Sequence, residues 1–87
     1  MYDNSEVVFS KHALYQLAER NLSENEVIST LLKPDKVISQ SNQKFQAIKL
    51  IKKNSKKYLM VVLFRKTNLI KKVITVFLTT KIKKYLK

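Results

Sequence analysis

Apolar residues in the first third of the chain have the spacing of a short amphipathic helix. Four of them repeat at helical intervals behind Ser10, namely Ala13, Leu14, Leu17 and Ala18. Serine is a favoured N-cap residue because its hydroxyl accepts a hydrogen bond from an amide of the first turn. The pattern therefore predicts a first helix over about residues 10 to 20.

A second helix is indicated directly after a break at Asn21 and Leu22. Ser23 is followed three residues later by Glu26, which is the spacing of a capping box. The apolar stripe of this helix consists of Val27, Ile28, Leu31 and Leu32. Pro34 stops the helix, because the residue before a proline is disfavoured in helical geometry.

The remainder of the chain reads as strands separated by short turns. The predicted strands are KVIS (36–39), KFQAIKLIKK (44–53), YLMVVLF (58–64) and LIKKVITVFLTT (69–80). Connections of hairpin length make neighbouring strands antiparallel. The final KIKKYLK is compatible with a helical turn, a strand extension or a basic tail. We expect one α+β domain over residues 1–87, with two N-terminal helices on one face of a curled, largely antiparallel four-stranded sheet.

Alternation along the last strand assigns its side chains to two faces. The even positions, from Ile70 to Leu78, are the more apolar and are expected to pack on the helices. The odd positions, from Lys71 to Lys81, carry hydroxyl and ammonium groups together with Val73 and Phe77. This odd face is expected to form the floor of an open, cationic groove.

Charge is very unevenly distributed along the 87 residues. The first 35 contain all six acids and only three bases, whereas residues 36–87 contain fifteen bases and no acid, within a net charge of +12. Such a field attracts polyanions, of which nucleic acid is the commonest. An acidic protein and an anionic membrane surface are the other candidates. A solvated lysine surface that reflects an AT-rich genome is the plain structural alternative.

Composition also excludes several classes of site. With no cysteine, one histidine and six carboxylates, neither a disulfide nor a zinc site is expected. The longest uncharged apolar run, residues 58–64, is far shorter than the roughly 20 residues of a membrane-spanning helix. The first residues, MYDNSEVVFSK, lack the features of a signal peptide. We therefore expect a soluble cytoplasmic protein without metal, cofactor or membrane contact.

Motifs spread over residues 9–80 resemble a known family. KHALYQLAERNLSENEV, followed by LLKPDKV, LMVV and VITVF, resembles small bacterial and archaeal domains of unknown function. That family is similar in turn to the BrnT and RelE/ParE toxins, whose fold is two helices followed by a curled antiparallel sheet. The resemblance therefore implies the same fold and a ribonuclease activity of toxin type.

The resemblance also implies candidate site residues. His12 matches the family histidine, Arg20 the arginine after a glutamate, and Thr75 the threonine of the late strand. The chain departs from the family pattern at three positions. They are Gln16 in place of a basic residue, Asn21 in place of glycine, and Phe77 in place of tyrosine.

When RNA is cleaved by attack of its own 2′-hydroxyl, the reaction requires a general base, a general acid and a cation that stabilises the phosphorane. It requires no metal. Histidine suits the proton steps because imidazole titrates near neutral pH. Arginine suits the phosphorane because its planar fork holds two oxygens. The candidate catalytic residues are His12, Arg20, Thr75 and Lys81. The candidate nucleic-acid-binding residues are Lys49, Lys52, Lys53, Arg65, Thr79 and Tyr85.

Each candidate also has a structural alternative. His12 could be an exposed polar residue near a helix start, and Arg20 could tie the helix end to a nearby glutamate. Threonine at position 75 is also simply a good strand residue.

The residues support three functional hypotheses. They are a metal-independent endoribonuclease that acts on mRNA or tRNA and is held by an acidic antitoxin, a non-catalytic nucleic-acid-binding module, and a protein-binding adaptor.

Overall fold

A computed structural model describes residues 6–85 as an α+β fold with a five-stranded mixed sheet. The elements in chain order are β1 (Glu6–Phe9), α1 (Lys11–Glu19), α2 (Glu24–Leu32), β2 (Lys36–Ser41), β3 (Lys44–Lys53), β4 (Lys56–Thr67), β5 (Ile70–Thr79) and α3 (Ile82–Tyr85). The sheet order is β1-β5-β4-β3-β2. Neighbouring strands are antiparallel except β1 and β5, which are parallel.

The expected sheet of four strands was wrong by one strand. Residues 6–9 form β1, which pairs with residues 70–73 of β5. The helices therefore do not precede every strand. The apolar run Val7–Phe9 is too short to show a strand period, and its pairing partner lies more than sixty residues away. Local sequence could not reveal that pairing.

Both helices begin where their caps predict. The Ser10 hydroxyl accepts a hydrogen bond from the Ala13 amide at 3.0 Å. In α2, the Ser23 amide donates to Glu26 Oε1 at 2.9 Å and the Glu26 amide donates to Ser23 Oγ at 3.1 Å, which confirms the capping box. Asn21 has φ 54°, the left-handed conformation in which glycine or asparagine commonly ends a helix.

The two faces of the sheet are covered very differently. We call the face against which α1 and α2 pack the helix-side face and the other the far face. The helix-side face builds the main core from Ala13, Leu17, Val27, Leu31, Ala47, Met60, Val62, Val73 and Val76, with further residues around them. The far face has a smaller buried cluster of Ile48, Leu59 and Val61, against which Ile38, Phe77, Ile82 and Tyr85 pack.

The predicted alternation along β5 holds for only part of the strand. Val76 and Leu78 face the helices, as expected for even positions, but Val73 is also buried in the main core. The cause is a register shift opposite Leu63 and Phe64, where Thr75 and Val73 are the successive partners and Ile74 is the extra residue. A β-bulge of this kind inserts one residue and reverses the alternation. Before the bulge the odd positions therefore face the helices.

The prediction that Phe77 belongs to the floor of an open groove is also wrong. The Phe77 ring lies edge-on to Tyr85, with 6.4 Å between ring centroids, and Ile82 packs on the same cluster. The short helix α3 therefore covers this part of the far face. The closing residues Ile82–Tyr85 form a helical turn, one of the alternatives left open by the sequence.

Candidate nucleic-acid interface

Helix α1 lies along a part of β5 that no strand within residues 6–85 pairs with on that side. β1 pairs with β5 only as far as Val73. Beyond that point the Ser10 hydroxyl donates to the Ile74 carbonyl at 3.2 Å, and the Val76 amide donates to Gln16 Oε1 at 2.9 Å. Side chains of α1 therefore form the hydrogen bonds to the edge of β5 that a neighbouring strand would otherwise form. Gln16, where the family pattern has a basic residue, has this structural role.

His12 is exposed in the first turn of α1. It precedes Gln16 by four residues, so the two side chains leave the helix on neighbouring positions of one stripe. That stripe is turned to the edge of β5, because Gln16 bonds there. Within residues 6–85, no hydrogen bond or ion pair joins the imidazole to another side chain. His12 is thus an accessible imidazole beside the sheet edge.

Arg20 lies in a different place from His12. Eight residues separate them, which is about 12 Å along a helix. Arg20 lines a polar cleft of about 300 Å³ together with Asn21, Lys53, Asn54, Tyr58 and Leu78. The structure therefore brings Arg20 together with Lys53, a predicted phosphate contact, rather than with the histidine.

Lys53 is partly neutralised within this cleft. Its ammonium group donates to the Asn21 carbonyl at 3.2 Å and forms an ion pair with Glu26 at 3.4 Å. The pKa of Glu26 is lowered from its usual 4.5, mainly by the hydrogen bond from the Ser23 amide. Burial opposes this shift as the second-largest effect, and Lys53 lowers the pKa further. The cleft therefore offers one guanidinium and one ammonium that already has an anionic partner.

The far face carries a row of three cations across three adjacent strands. Lys44 on β3 is the register partner of Arg65 on β4, and Arg65 is the partner of Lys72 on β5. Register partners have their side chains on the same face at about 5 Å. We call these three residues the cation row. Arg65 is the only one of them that the sequence alone singled out.

Like charges also face each other elsewhere in the sheet. Three more register pairs join Lys52 with Lys57, Lys53 with Lys56, and Lys66 with Lys71. Like charges directly opposite each other destabilise a sheet. Lys53 has Glu26 of α2 as an ionic partner, whereas no acid from residue 36 onwards separates Lys52 from Lys57. A bound polyanion would relieve this repulsion.

Thr75 neighbours the cation row on the far face. It is the register partner of Leu63, which lies two residues before Arg65 on the same side of β4. Thr75 is half-buried there, beside the edge along which α1 runs. Of the candidate catalytic residues, Thr75 lies on β5 itself and His12 lies on the helix whose Gln16 contacts the edge of β5, while Arg65 is on the neighbouring strand.

The remaining predicted residues are dispersed. Lys49 donates to Ser29 Oγ on α2 at 3.2 Å. Thr79 Oγ1 accepts a hydrogen bond from the Lys81 amide at 3.1 Å, so these two residues shape the connection to α3. Tyr85 packs against Phe77. Lys52 is exposed at the β3–β4 hairpin, at the opposite end of the sheet from the cation row.

The sequence reasoning missed Lys44 and Lys72, although a signal for them exists. Asn54 and Ser55 both have positive φ, and so do Gln43 and Asn68. Asparagine in short polar turns favours such conformations, so it marks tight hairpins. Counting outward from the turn at Asn68 pairs Arg65 with Lys72. Fixing the register from the turns would therefore have found the row.

Two classes of site find no support in the described chain. Residues 6–85 contain no group of three or more histidines or carboxylates placed to hold a metal ion. In the same range, no helix is long and apolar enough to cross a membrane.

Comparisons with known proteins give one family and no individual relative. No curated protein matches the chain, and no solved structure matches it. The family model described as "Domain of unknown function (DUF4258)" matches residues 9–78, a range that runs from the end of β1 almost to the end of β5. The protein therefore belongs to the DUF4258 family.

Proposed function

We propose that this protein binds RNA on the far face of its sheet, and that it cleaves the bound RNA without a metal ion, as a toxin-type endoribonuclease. The observation that carries the binding proposal is the cation row, in which Arg65 faces a lysine on each side. Repulsion between neighbouring cations is a cost to the fold that an RNA backbone offsets. Phosphate contacts of this kind supply affinity rather than sequence choice.

The cleavage proposal rests on His12. An RNA strand that follows the cation row towards β5 passes Thr75 and reaches the edge where the imidazole is exposed. His12 would remove the 2′-proton, or protonate the leaving 5′-oxygen, and a cation of the row would stabilise the phosphorane. Arg20 has no role in this step, because its cleft includes Asn54 of the β3–β4 hairpin, at the opposite end of the sheet from the cation row. The resemblance to the BrnT and RelE/ParE toxins supports the same activity.

A non-catalytic RNA-binding module is the second candidate function. Two observations favour it. The side chain of Gln16 is engaged by the Val76 amide, and Arg20 lies about 12 Å along the helix from His12. The position one turn on from the imidazole therefore supplies no cation to complete a cleavage site.

An assay in EDTA separates the two functions. Purified wild-type protein, His12→Ala and Lys11→Ala are incubated with mRNA and tRNA in the chelator. Lys11 is the matched control, because it is exposed on the same turn and lacks an imidazole. We expect the wild type and Lys11→Ala to cleave and His12→Ala to be inactive. If all three proteins bind the RNA and none of them cleaves it, only the function as a non-catalytic binding module would remain.

RNA binding is tested independently of cleavage. Arg65→Gln should weaken the binding of a single-stranded RNA and reduce the slope of log affinity against log salt by about 0.7 for each phosphate that the protein no longer neutralises. Lys33→Gln removes an exposed cation that is not part of the sheet and serves as the control. Equally weakened binding in both variants would mean that net charge, and not the cation row, attracts RNA.

We also propose a cytoplasmic location and an acidic antitoxin as the physiological partner. Fifteen bases without an acid from residue 36 onwards favour a partner of opposite charge. Expression of the chain alone should arrest growth, and His12→Ala should relieve the arrest. Arrest by both proteins would remove His12 from the toxic activity.

A further inference from the structure

Two glutamine side chains lie together on the far face beside the cation row. Gln46 is on β3, two residues from Lys44, so the two side chains share a face at about 7 Å. The register partner of Gln46 on β4 is Leu63, which makes Arg65 a diagonal neighbour of Gln46 at about 7–8 Å. Gln40 Nε2 on β2 donates a hydrogen bond to Gln46 Oε1 at 3.2 Å. We call Gln40 and Gln46 the amide pair.

A β-bulge in β2 brings Gln40 to this position. The pairing of β2 with β3 shifts between Ser39 and Ser41, and Gln40 is the extra residue between them. In a regular ladder Gln40 would lie opposite Lys44, but its amide bonds to Gln46 instead. Bulges re-aim side chains in this way and are over-represented at sheet edges and next to active sites. The bulge therefore places a second amide beside Gln46.

The amide pair keeps hydrogen-bonding capacity after its mutual bond has formed. A glutamine amide has two N–H donors and a carbonyl oxygen with two acceptor positions. The bond between the two side chains uses one donor of Gln40 and one acceptor position of Gln46. Each amide therefore still offers a donor next to an acceptor. Gln40 is exposed and Gln46 is half-buried, so a ligand on the far face can reach both.

We propose that the amide pair makes the far face selective for an unpaired adenine. This selectivity rests on the proposed RNA binding, in which the cation row holds the phosphates. A glutamine amide donates to adenine N7 and accepts from the adenine N6 amino group, so it forms two hydrogen bonds with one base edge. Guanine presents two acceptors on that edge, and the pyrimidines have no N7. In a single strand the base edges are open to such contacts.

The spacing of cations and amides suits a single nucleotide. A base is joined to its phosphate through one ribose, so a phosphate at Lys44 or Arg65 leaves its base within reach of Gln46, about 7 Å away. Ile38 on β2 is the register partner of Gln46 and belongs to the far-face cluster, so an apolar surface adjoins the amide. The phosphate contacts then position the strand, and the contacts with the base edge supply the preference for one base.

Adenine selectivity is tested with short fluorescein-labelled oligo(A), oligo(U) and oligo(C) strands. Their riboses carry 2′-O-methyl groups, so the strands lack the attacking hydroxyl and stay intact. Fluorescence anisotropy with the whole chain should show oligo(A) bound about tenfold more tightly than the other two. Gln46→Met removes the amide at similar volume and should bring the three affinities within about twofold of one another. Gln46→Glu keeps an oxygen that accepts from Gln40 but loses the N–H groups, and it should also lose the preference.

Gln43→Gly is the matched control. Gln43 is an exposed glutamine in the turn between β2 and β3, and its φ of 64° suits glycine. This variant removes a side-chain amide close to the amide pair and should leave the ratio of oligo(A) to oligo(U) affinity within about twofold of the wild type. If the amide pair only linked β2 to β3, Gln46→Glu would keep the preference for oligo(A), and this result would overturn the proposed selectivity.

The same measurements distinguish adenine selectivity from RNA binding itself. Arg65→Gln should weaken the binding of all three strands by a similar factor and leave their ratio unchanged. Equal affinity of the wild type for the three strands, or a preference for oligo(C), would overturn adenine selectivity. If Arg65→Gln still weakened binding in that case, the proposed RNA site would stand. No binding of any strand by the wild type would overturn the proposed RNA site and the selectivity with it.

Discussion

The helix-side face and the far face of this sheet are covered in different ways. The helix-side face is closed by two capped helices that bury an extended core. Within residues 6–85, the far face is covered only by the four residues of α3, which pack on its smaller cluster, and it carries the cation row at one end. Stability is therefore concentrated on one face, which leaves the other free to carry repelling charges. Substitutions on the two faces should differ accordingly in the size and the sign of their effects.

The largest expected effect compares two neighbouring residues of β4. Met60 and Leu59 are both fully buried, Met60 in the helix-side core and Leu59 in the far-face cluster. Met60→Ala should lower the free energy of unfolding by about 4 kcal/mol and Leu59→Ala by about 2 kcal/mol. The difference arises because a four-residue helix can shift into a cavity more readily than two packed helices can. Urea unfolding measures both values. A larger effect for Leu59→Ala would contradict the conclusion that stability is concentrated on the helix-side face.

The second prediction concerns the edge at which the two faces meet. Gln16→Leu leaves the Val76 amide without its side-chain acceptor and should cost about 1–3 kcal/mol. Gln16→Glu keeps an acceptor oxygen and should be destabilised less. Urea unfolding of both variants checks the order. If Gln16→Leu were as stable as the wild type, this would mean that water accepts the hydrogen bond of the Val76 amide as well as Gln16 does.

A smaller effect is expected at the start of α2, one of the two covering helices. Ser23→Ala removes one half of the capping box and should lower the free energy of unfolding by about 1 kcal/mol. Thermal unfolding at neutral pH measures it. The exposed Ser39→Ala on β2 serves as the control and should change stability little.

The capping box also predicts a pH dependence. The pKa of Glu26 is lowered in the folded protein, chiefly by the Ser23 amide. Its contribution to stability is therefore present above its usual pKa of 4.5 and is lost as the pH falls through the lowered folded value. Unfolding measured from neutral to acidic pH should show a shallower decline for Glu26→Gln than for the wild type. Parallel curves would mean that the Glu26 carboxylate contributes nothing.

The smallest effect has the opposite sign. Arg65→Gln removes the central charge of the cation row and should raise the free energy of unfolding by about 0.5 kcal/mol at low salt. The gain should disappear near 1 M salt, where the screening length is about 3 Å. Lys33→Gln, outside the sheet, is the control. Reduced stability in Arg65→Gln would mean that the row is not under electrostatic strain.

Local signals predicted most of the elements. The N-caps Ser10 and Ser23 gave the helix starts, and β3 was predicted with the bounds that the structure has. β1 was missed because it is short and pairs with a distant strand. The bulge at Ile74 was missed because alternation within one strand does not show where its partner inserts a residue.

The candidate site was predicted less completely than the fold. His12 is exposed and Arg65 lies on the sheet, but Arg20 joins Lys53 in a cleft of its own. Residue type and helical spacing identify which groups have suitable chemistry. They do not specify which face of the sheet or which end of a helix each group shares with the others.

The sequence by itself determined the α+β class, the two capped helices, the tight asparagine turns and the accumulation of positive charge after residue 36. Each of these depends on residues that are close together in the chain. Only the tertiary structure decided that β1 pairs with β5, that α3 covers Phe77, and that Arg20 shares a cleft with Lys53. These features depend on strand pairing and on how the helices pack on the sheet, which are fixed when separate segments come together.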